Sequence, residues 1–138
     1  MGKIEVIGVM SGTSLDGLDL CHVIFNLENL SDFKIANSTT ISYPKKISEK
    51  LHNIVKKNIN QINKIDIDYG TFIGESINKF ISSFNLNEID LISSHGHTVF
   101  HQPDEGKTLQ IGNGMIINKI TGIRTVNNFR EQDVKLGG

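Results

Sequence analysis

Nine residues, Val9-Met10-Ser11-Gly12-Thr13-Ser14-Leu15-Asp16-Gly17, follow the apolar run Ile4–Gly8 and offer more hydrogen-bonding capacity than a turn between strands needs. Glycines at 12 and 17 let successive backbone N–H groups converge on one point, which makes an anion nest. Thr13 and Ser14 add hydroxyl donors, and the Asp16 carboxylate could hold Mg²⁺ directly or through water. Together these are the parts that a nucleotide triphosphate requires. The segment is not a Walker loop, because no Gly-Lys-Ser/Thr follows and no helix is expected to start there. An ordinary polar hairpin has the same composition.

A second stretch, Ser93-Ser94-His95-Gly96-His97-Thr98-Val99-Phe100-His101-Gln102-Pro103, crowds three histidines into seven positions. It follows a short apolar strand, at the end where open sheets place ligand groups. Imidazole suits zinc, but no cysteine or acid stands at ligand spacing, and Asp104 and Glu105 read as a solvated loop. Neutral imidazole both donates and accepts, so a polyhydroxylated ligand suits it better. Surface-loop histidines are the plain alternative. The third stretch is Asn127-Asn128-Phe129-Arg130-Glu131-Gln132-Asp133. Arg130 could grip a carboxylate bidentately, and Asp133 could orient it or bind a hydroxyl. A surface ion pair worth about 0–1 kcal/mol would use the same residues.

The elements that must position these groups follow from periodicity. Lys3–Met10 and Leu18–Phe25 read as strands on either side of the glycine-rich segment, and Phe33–Tyr43 as a third strand ended by Pro44. Ile47, Leu51, Ile54 and Val55 then fall on one helical face, and Lys56–Lys64 reads as a polar break. Ile73, Ile77, Phe80, Ile81 and Phe84 mark a longer helix over roughly 66–84. Asp90–Ser93 is a short strand. Asn113 could cap a helix carrying Ile116, Ile117 and Ile120, stopped by Gly122, and Ile123–Val126 is a last strand. Strands first, then alternation of helix and strand, predict an α/β domain with a mixed sheet.

Composition narrows the classes. The chain has 138 residues, about one domain, with 38 % hydrophobic and 21 % charged residues, which suits a globular protein. The net charge of -1 supplies no basic field for nucleic acid. Cys21 is the one cysteine, so no disulfide framework forms within the chain, and burial is its expected role. No apolar run approaches the ~20 residues of a membrane helix, and the start lacks the pattern of a signal peptide, so the cytoplasm is the expected compartment.

Taken in order, "GVMSGTSLDGLDL", "DLISSHGHTVFHQP" with "TLQIGNG", and "TGIRTVNNFREQDVKLGG" resemble the anhydro-N-acetylmuramic acid kinase family from Ile7 to the last residue. The resemblance implies the ribonuclease-H-like fold of the sugar kinase, actin and Hsp70 superfamily. It also implies conversion of 1,6-anhydro-N-acetylmuramic acid to N-acetylmuramic acid 6-phosphate by MgATP, in the recycling of bacterial cell wall. Water opens the anhydro bridge at C1 while O6 takes the γ-phosphoryl group. The family's ATP-binding segment falls on Gly12, Thr13, Ser14, Leu15, Asp16, Gly17, Leu18 and Asp19, with Asp16 the expected Mg²⁺ residue. Ser94, His95, Gly96, His97, Thr98 and His101 fall in its substrate-side segment, and Arg130 and Asp133 are added as sugar-binding candidates.

Two departures stand out. The family usually has Asp-Phe-Arg where this chain has Asn128-Phe129-Arg130, and a neutral amide can neither act as a base nor hold a cation firmly. The family also continues past Gly137-Gly138 into a large second half that carries the adenosine-binding segments and the Asp that activates water. Residues 1–138 are therefore expected to be an N-terminal ribonuclease-H-like domain cut at its C-terminal end, inactive alone, with a homodimer allowed at full length. A non-catalytic remnant or binding module, and a generic sugar kinase of the same superfamily, are the competing readings.

Overall fold

A computed structural model describes residues 2–11 and 17–138. Three consecutive strands, β1 (Lys3–Ser11), β2 (Gly17–Asn26) and β3 (Asn29–Ser42), form an antiparallel meander. β4 (Leu91–Ser94) then joins the free edge of β1 in parallel, and the short β7 (Thr125–Val126) joins β4, giving the order β3-β2-β1-β4-β7. This is a mixed five-stranded sheet in an α/β fold of the ribonuclease-H-like kind expected from the sequence. The antiparallel partner of β1 starts at Gly17, with Ser11 opposite Leu18, so the flanks of the glycine-rich segment are strands and not a helix start. The residues between them, Gly12, Thr13, Ser14, Leu15 and Asp16, lie outside the described residues.

One face of the sheet carries the core. Ile7, Val9, Leu18, Leu20 and Ile92 lie buried there against helix α2 (Ile59–Phe84). α2 buries Ile62, Ile65, Tyr69, Ile73, Ile77 and Phe80, a spacing of three and four residues that keeps them on one stripe. Each fully buried isoleucine stabilises the fold by about 1.5–3 kcal/mol relative to exposure. The helix starts seven residues before the expected Asp66. Its signal is a capping box: the Asn58 side chain accepts from the Gln61 backbone N–H, and the Gln61 side chain accepts from the Asn58 N–H. Lys56 and Lys64 are exposed on either side of that cap, and the Lys57 ammonium donates to the Lys50 and His52 carbonyls at the end of the preceding helix.

The other departures are local. Helix α1 (Lys45–Leu51) ends early, because Asn53 adopts a left-handed conformation at φ 54°, and a 3₁₀ turn over Ile54–Lys56 follows. Strands β5 (His97–Gln102) and β6 (Lys107–Ile111) pair as a separate hairpin, where periodicity assigns no element. Helix α3 (Gly114–Thr121) has the expected ends: the Asn113 side chain accepts from the Ile116 N–H, and Gly122 stops it at φ 73°. Helix α4 (Phe129–Lys135) was not anticipated.

On the opposite face Ile4, Val6, Val23 and Phe25 are half-buried, while Phe33 and Ile35 on β3 are 55 % and 58 % exposed. Phe25 and Phe33 touch there, with ring centroids 5.8 Å apart. Among the described residues no helix is long and apolar enough to cross a membrane.

Candidate functional site

A cleft of about 340 Å³ lies at the carboxyl ends of β4 and β7, closed below by the start of α3. Parallel strands bring their C-terminal ends to one side of the sheet, which is why ligand groups gather there. Ser94 is the last residue of β4 and 1 % exposed, and its hydroxyl finds no partner among the described residues. His95 follows. Its Nδ1 lies 3.1 Å from the Gly96 carbonyl, which can only accept, so Nδ1 carries the proton. Nε2 then presents a lone pair, buried and unpartnered among the described residues. A hydroxyl and an imidazole acceptor that both lack partners among the described residues suit a ligand bearing hydroxyl groups.

The floor is held from α2. The Asp66 carboxylate accepts from the Gly112 N–H at 2.8 Å and from the Asn113 side-chain amide at 3.3 Å. Asp66 read from sequence only as a helix start; nothing local in the sequence showed that the two segments meet. Asn127, Asn128 and Glu131 supply the far wall. Asn128 sits at φ 59° before α4, a left-handed conformation that Asn tolerates better than most residues.

The sequence-derived candidates divide. Ser94 and His95 line the cleft. Gly96 lets the chain turn into β5 at φ 75°. His97 points into the core, 5 % exposed, with Nδ1 3.1 Å from the Ser11 hydroxyl. Thr98 and His101 lie on the hairpin, where Thr98 receives the Gln110 amide at 3.4 Å and His101 meets the Thr108 hydroxyl at 3.0 Å. Arg130 and Asp133 stand on α4 and are not among the lining residues, and no salt bridge joins them among the described residues. At the start of β2, Gly17 packs against the Ile41 carbonyl so closely that a Cβ would collide, and the Leu18 side chain belongs to the core. Asp19 is exposed and accepts from the Thr40 hydroxyl at 2.6 Å.

A family model described as anhydro-N-acetylmuramic acid kinase matches residues 4–138. The chain belongs to the anhydro-N-acetylmuramic acid kinase family. Proteins of that name from Mannheimia succiniciproducens, Acinetobacter baylyi and Crocosphaera subtropica are 38 %, 35 % and 33 % identical to it, across 100 %, 96 % and 96 % of the chain. The chain spans 38 %, 35 % and 36 % of their respective lengths.

In this member of the anhydro-N-acetylmuramic acid kinase family, His95 in the cleft and His97 in the core are expected to set an acid limit on stability. Burial holds His95 and His97 below the ordinary value of 6.5, with Arg130 and His101 adding to the effect at His95, and His95 adding to it at His97. The unfolded chain therefore binds more protons than the folded one once the pH drops through that value. Stability is full above about pH 6.5, falls as the pH descends to the folded pKa values, and levels off below them. Thermal melts from about pH 8 to about pH 5 will show Tm falling over that range. Replacing both residues (His95→Gln with His97→Gln) will flatten the curve, and an unchanged curve would assign the acid sensitivity to other groups.

Proposed function

We propose that residues 1–138 are the N-terminal ribonuclease-H-like domain of an ATP-dependent anhydro-N-acetylmuramic acid kinase, supplying the phosphate-binding segment and one wall of the sugar cleft. The observation that carries this reading is the family match over residues 4–138. The cleft supports it. The Ser94 hydroxyl and His95 Nε2, both without a partner among the described residues, are the donor and acceptor that a sugar ring needs, and a water-poor wall strengthens both.

Gly12, Thr13, Ser14, Leu15, Asp16 and Gly17, with Leu18 and Asp19 behind them, are the proposed phosphate segment. The backbone N–H groups and the two hydroxyls would grip the phosphate oxygens. Asp16 would hold Mg²⁺, which supplies neutralisation of the phosphate charge when bound. The role of this half is to place the γ-phosphoryl group in line with O6 of the sugar, so its contribution is positioning and charge stabilisation. Arg130 and Asp133 would meet the sugar only if α4 approaches it on binding. The cytoplasm, where ATP is available, is the proposed location.

The test uses the intact gene product, MgATP and 1,6-anhydro-N-acetylmuramic acid, with N-acetylmuramic acid 6-phosphate read by mass spectrometry. Asp16→Asn is expected to lower turnover on the order of 10²–10³-fold while calorimetric sugar affinity stays within about twofold. Equal losses in both would give Asp16 a folding role. No product from any sugar would favour a non-catalytic binding module, the reading that the neutral Asn128 in the cleft wall supports. Equal turnover of ordinary hexoses would point to a generic sugar kinase.

A further inference from the structure

Helices α1, α2 and α3 all bury residues in the core that Ile7, Val9 and Ile92 share, and α4 packs beside β6. Among the described residues no helix covers the opposite face of the sheet. Cross-strand pairing fixes what that face presents. Val6 lies between Val23 and Leu91, with Ile35 beyond Val23. Ile4, Phe25 and Phe33 form the next row. On the other side of Val6, Gly8 lies between Cys21 and Ser93, with Ser38 beyond Cys21. No side chain in these three rows is charged, and none of their hydrophobic residues joins the core. A parallel pair such as β1 and β4 is ordinarily buried on both faces, and a contiguous apolar surface marks a place of contact.

Gly8 points to the kind of contact. It stands inside β1, the middle strand of the five, where glycine weakens a strand. Its φ lies outside the left-handed region. A Cβ there would meet only the Cys21 carbonyl oxygen, at 3.9 Å, an ordinary contact. At Gly17, Gly70 and Gly96, by contrast, a Cβ would collide with backbone. Within the described residues, then, neither conformation nor space calls for glycine at position 8. A bare Cα does permit another segment to approach closely. With small neighbours in Cys21 and Ser93 and the larger Val6 row alongside, Gly8 is the low point of the face.

We propose that a helix from the same polypeptide, beyond Gly138, packs on this face with its nearest approach over Gly8. The inference rests on the reading of residues 1–138 as the N-terminal domain of a longer kinase. The chain spans 38 % of the length of the Mannheimia succiniciproducens relative, so a protein of that length has ample chain to supply the cover. A tethered segment acts at an effective concentration in the mM range, which favours it over a second copy in solution. An amphipathic helix is the element that covers a sheet face in α/β folds.

Two measurements on the intact gene product test this. With the face open, Gly8→Ala would raise Tm by about 1–3 °C, because it restricts the unfolded chain and meets nothing in the folded one. Under a close-packed helix it is expected to lower Tm by about 3 °C or more. A smaller fall, no change or a rise would overturn the close approach. The second measurement replaces Phe33, at the border of the face, with the photoreactive analogue p-benzoylphenylalanine and maps its cross-links by mass spectrometry in a mixture of nitrogen-15-labelled and unlabelled protein. Cross-links to residues beyond Gly138 within one isotopic species are expected. Cross-links between the two species would assign the face to a second copy and overturn the proposal, as would cross-links confined to residues 1–138 or none at all. Kinase activity is read separately: an active protein with an uncovered face overturns this inference alone, and an inactive protein with the expected cross-links removes the kinase reading while the helix stands.

Discussion

Purified as 138 residues, the chain will give no N-acetylmuramic acid 6-phosphate above a no-enzyme control when mixed with MgATP and 1,6-anhydro-N-acetylmuramic acid. Transfer to O6 requires the sugar, the nucleotide and an activated water held in one place. The carboxylates at the cleft are poor candidates for activating water. Asp66 spends one oxygen on the Gly112 N–H and the other on the Asn113 amide. Glu131 is exposed on α4, where its carboxylate lies 3.3 Å from Lys135. Absence of a general base alone costs about 10²–10⁴-fold. Loss of the proximity that a complete site provides multiplies that. Product sustained over many turnovers would place the base within these residues and make Glu131→Gln the next variant to measure.

The second large effect is on folding. Gly96→Ala will destabilise the chain by about 3 kcal/mol, a fall of roughly 10 °C in Tm for a protein of this size. Gly96 sits at φ 75°, where an L side chain is strained, and a Cβ there would collide with the Ile111 carbonyl oxygen. That carbonyl belongs to backbone, in the β6 residue paired with His97, so a rotamer change cannot relieve the clash. The hairpin must shift, and with it His95 and Ile111 in the cleft lining. Calorimetric melting checks the magnitude. A Tm change below about 3 °C would mean that β5 and β6 slide apart at little cost.

The elements most legible in the sequence were those whose signal is local. Three strands of β-branched residues, the apolar stripe from Ile73 to Phe80, and the Asn113 and Gly122 ends of α3 all appear where periodicity and capping put them. The start of α2 was legible in principle, since Asn58 and Gln61 spell a capping box, but the lysine-rich surroundings masked it. The β5–β6 hairpin was hidden because the buried residues of β5, His97 and Val99, alternate for only a few positions and one of them is polar, and β6 buries only Ile111. In the site, Ser94 and His95 were found through their place at a strand end. Asp66 and Glu131 were not, because what brings them to the cleft is tertiary packing with no trace in neighbouring residues. His97 looked like its neighbours in sequence, yet strand alternation turns it inward.

The parallel pairing of β1 with β4 also has a consequence in time. The meander β1–β2–β3 closes through short connections, whereas β4 reaches β1 only after a long excursion: Glu5 and Asp90, whose contact anchors it, are 85 residues apart in sequence. Closing a loop of that length is entropically slower than zipping a hairpin, and the reward of docking against Ile7 and Val9 comes only at the end. Because β4 ends in Ser94, the strand that must close this long loop onto β1 is the one that carries the ligand groups. Pulsed hydrogen exchange during refolding should therefore protect the amides of β2 before those of β4. The cleft is therefore expected to form after the meander, and to be lost before it in a destabilised chain.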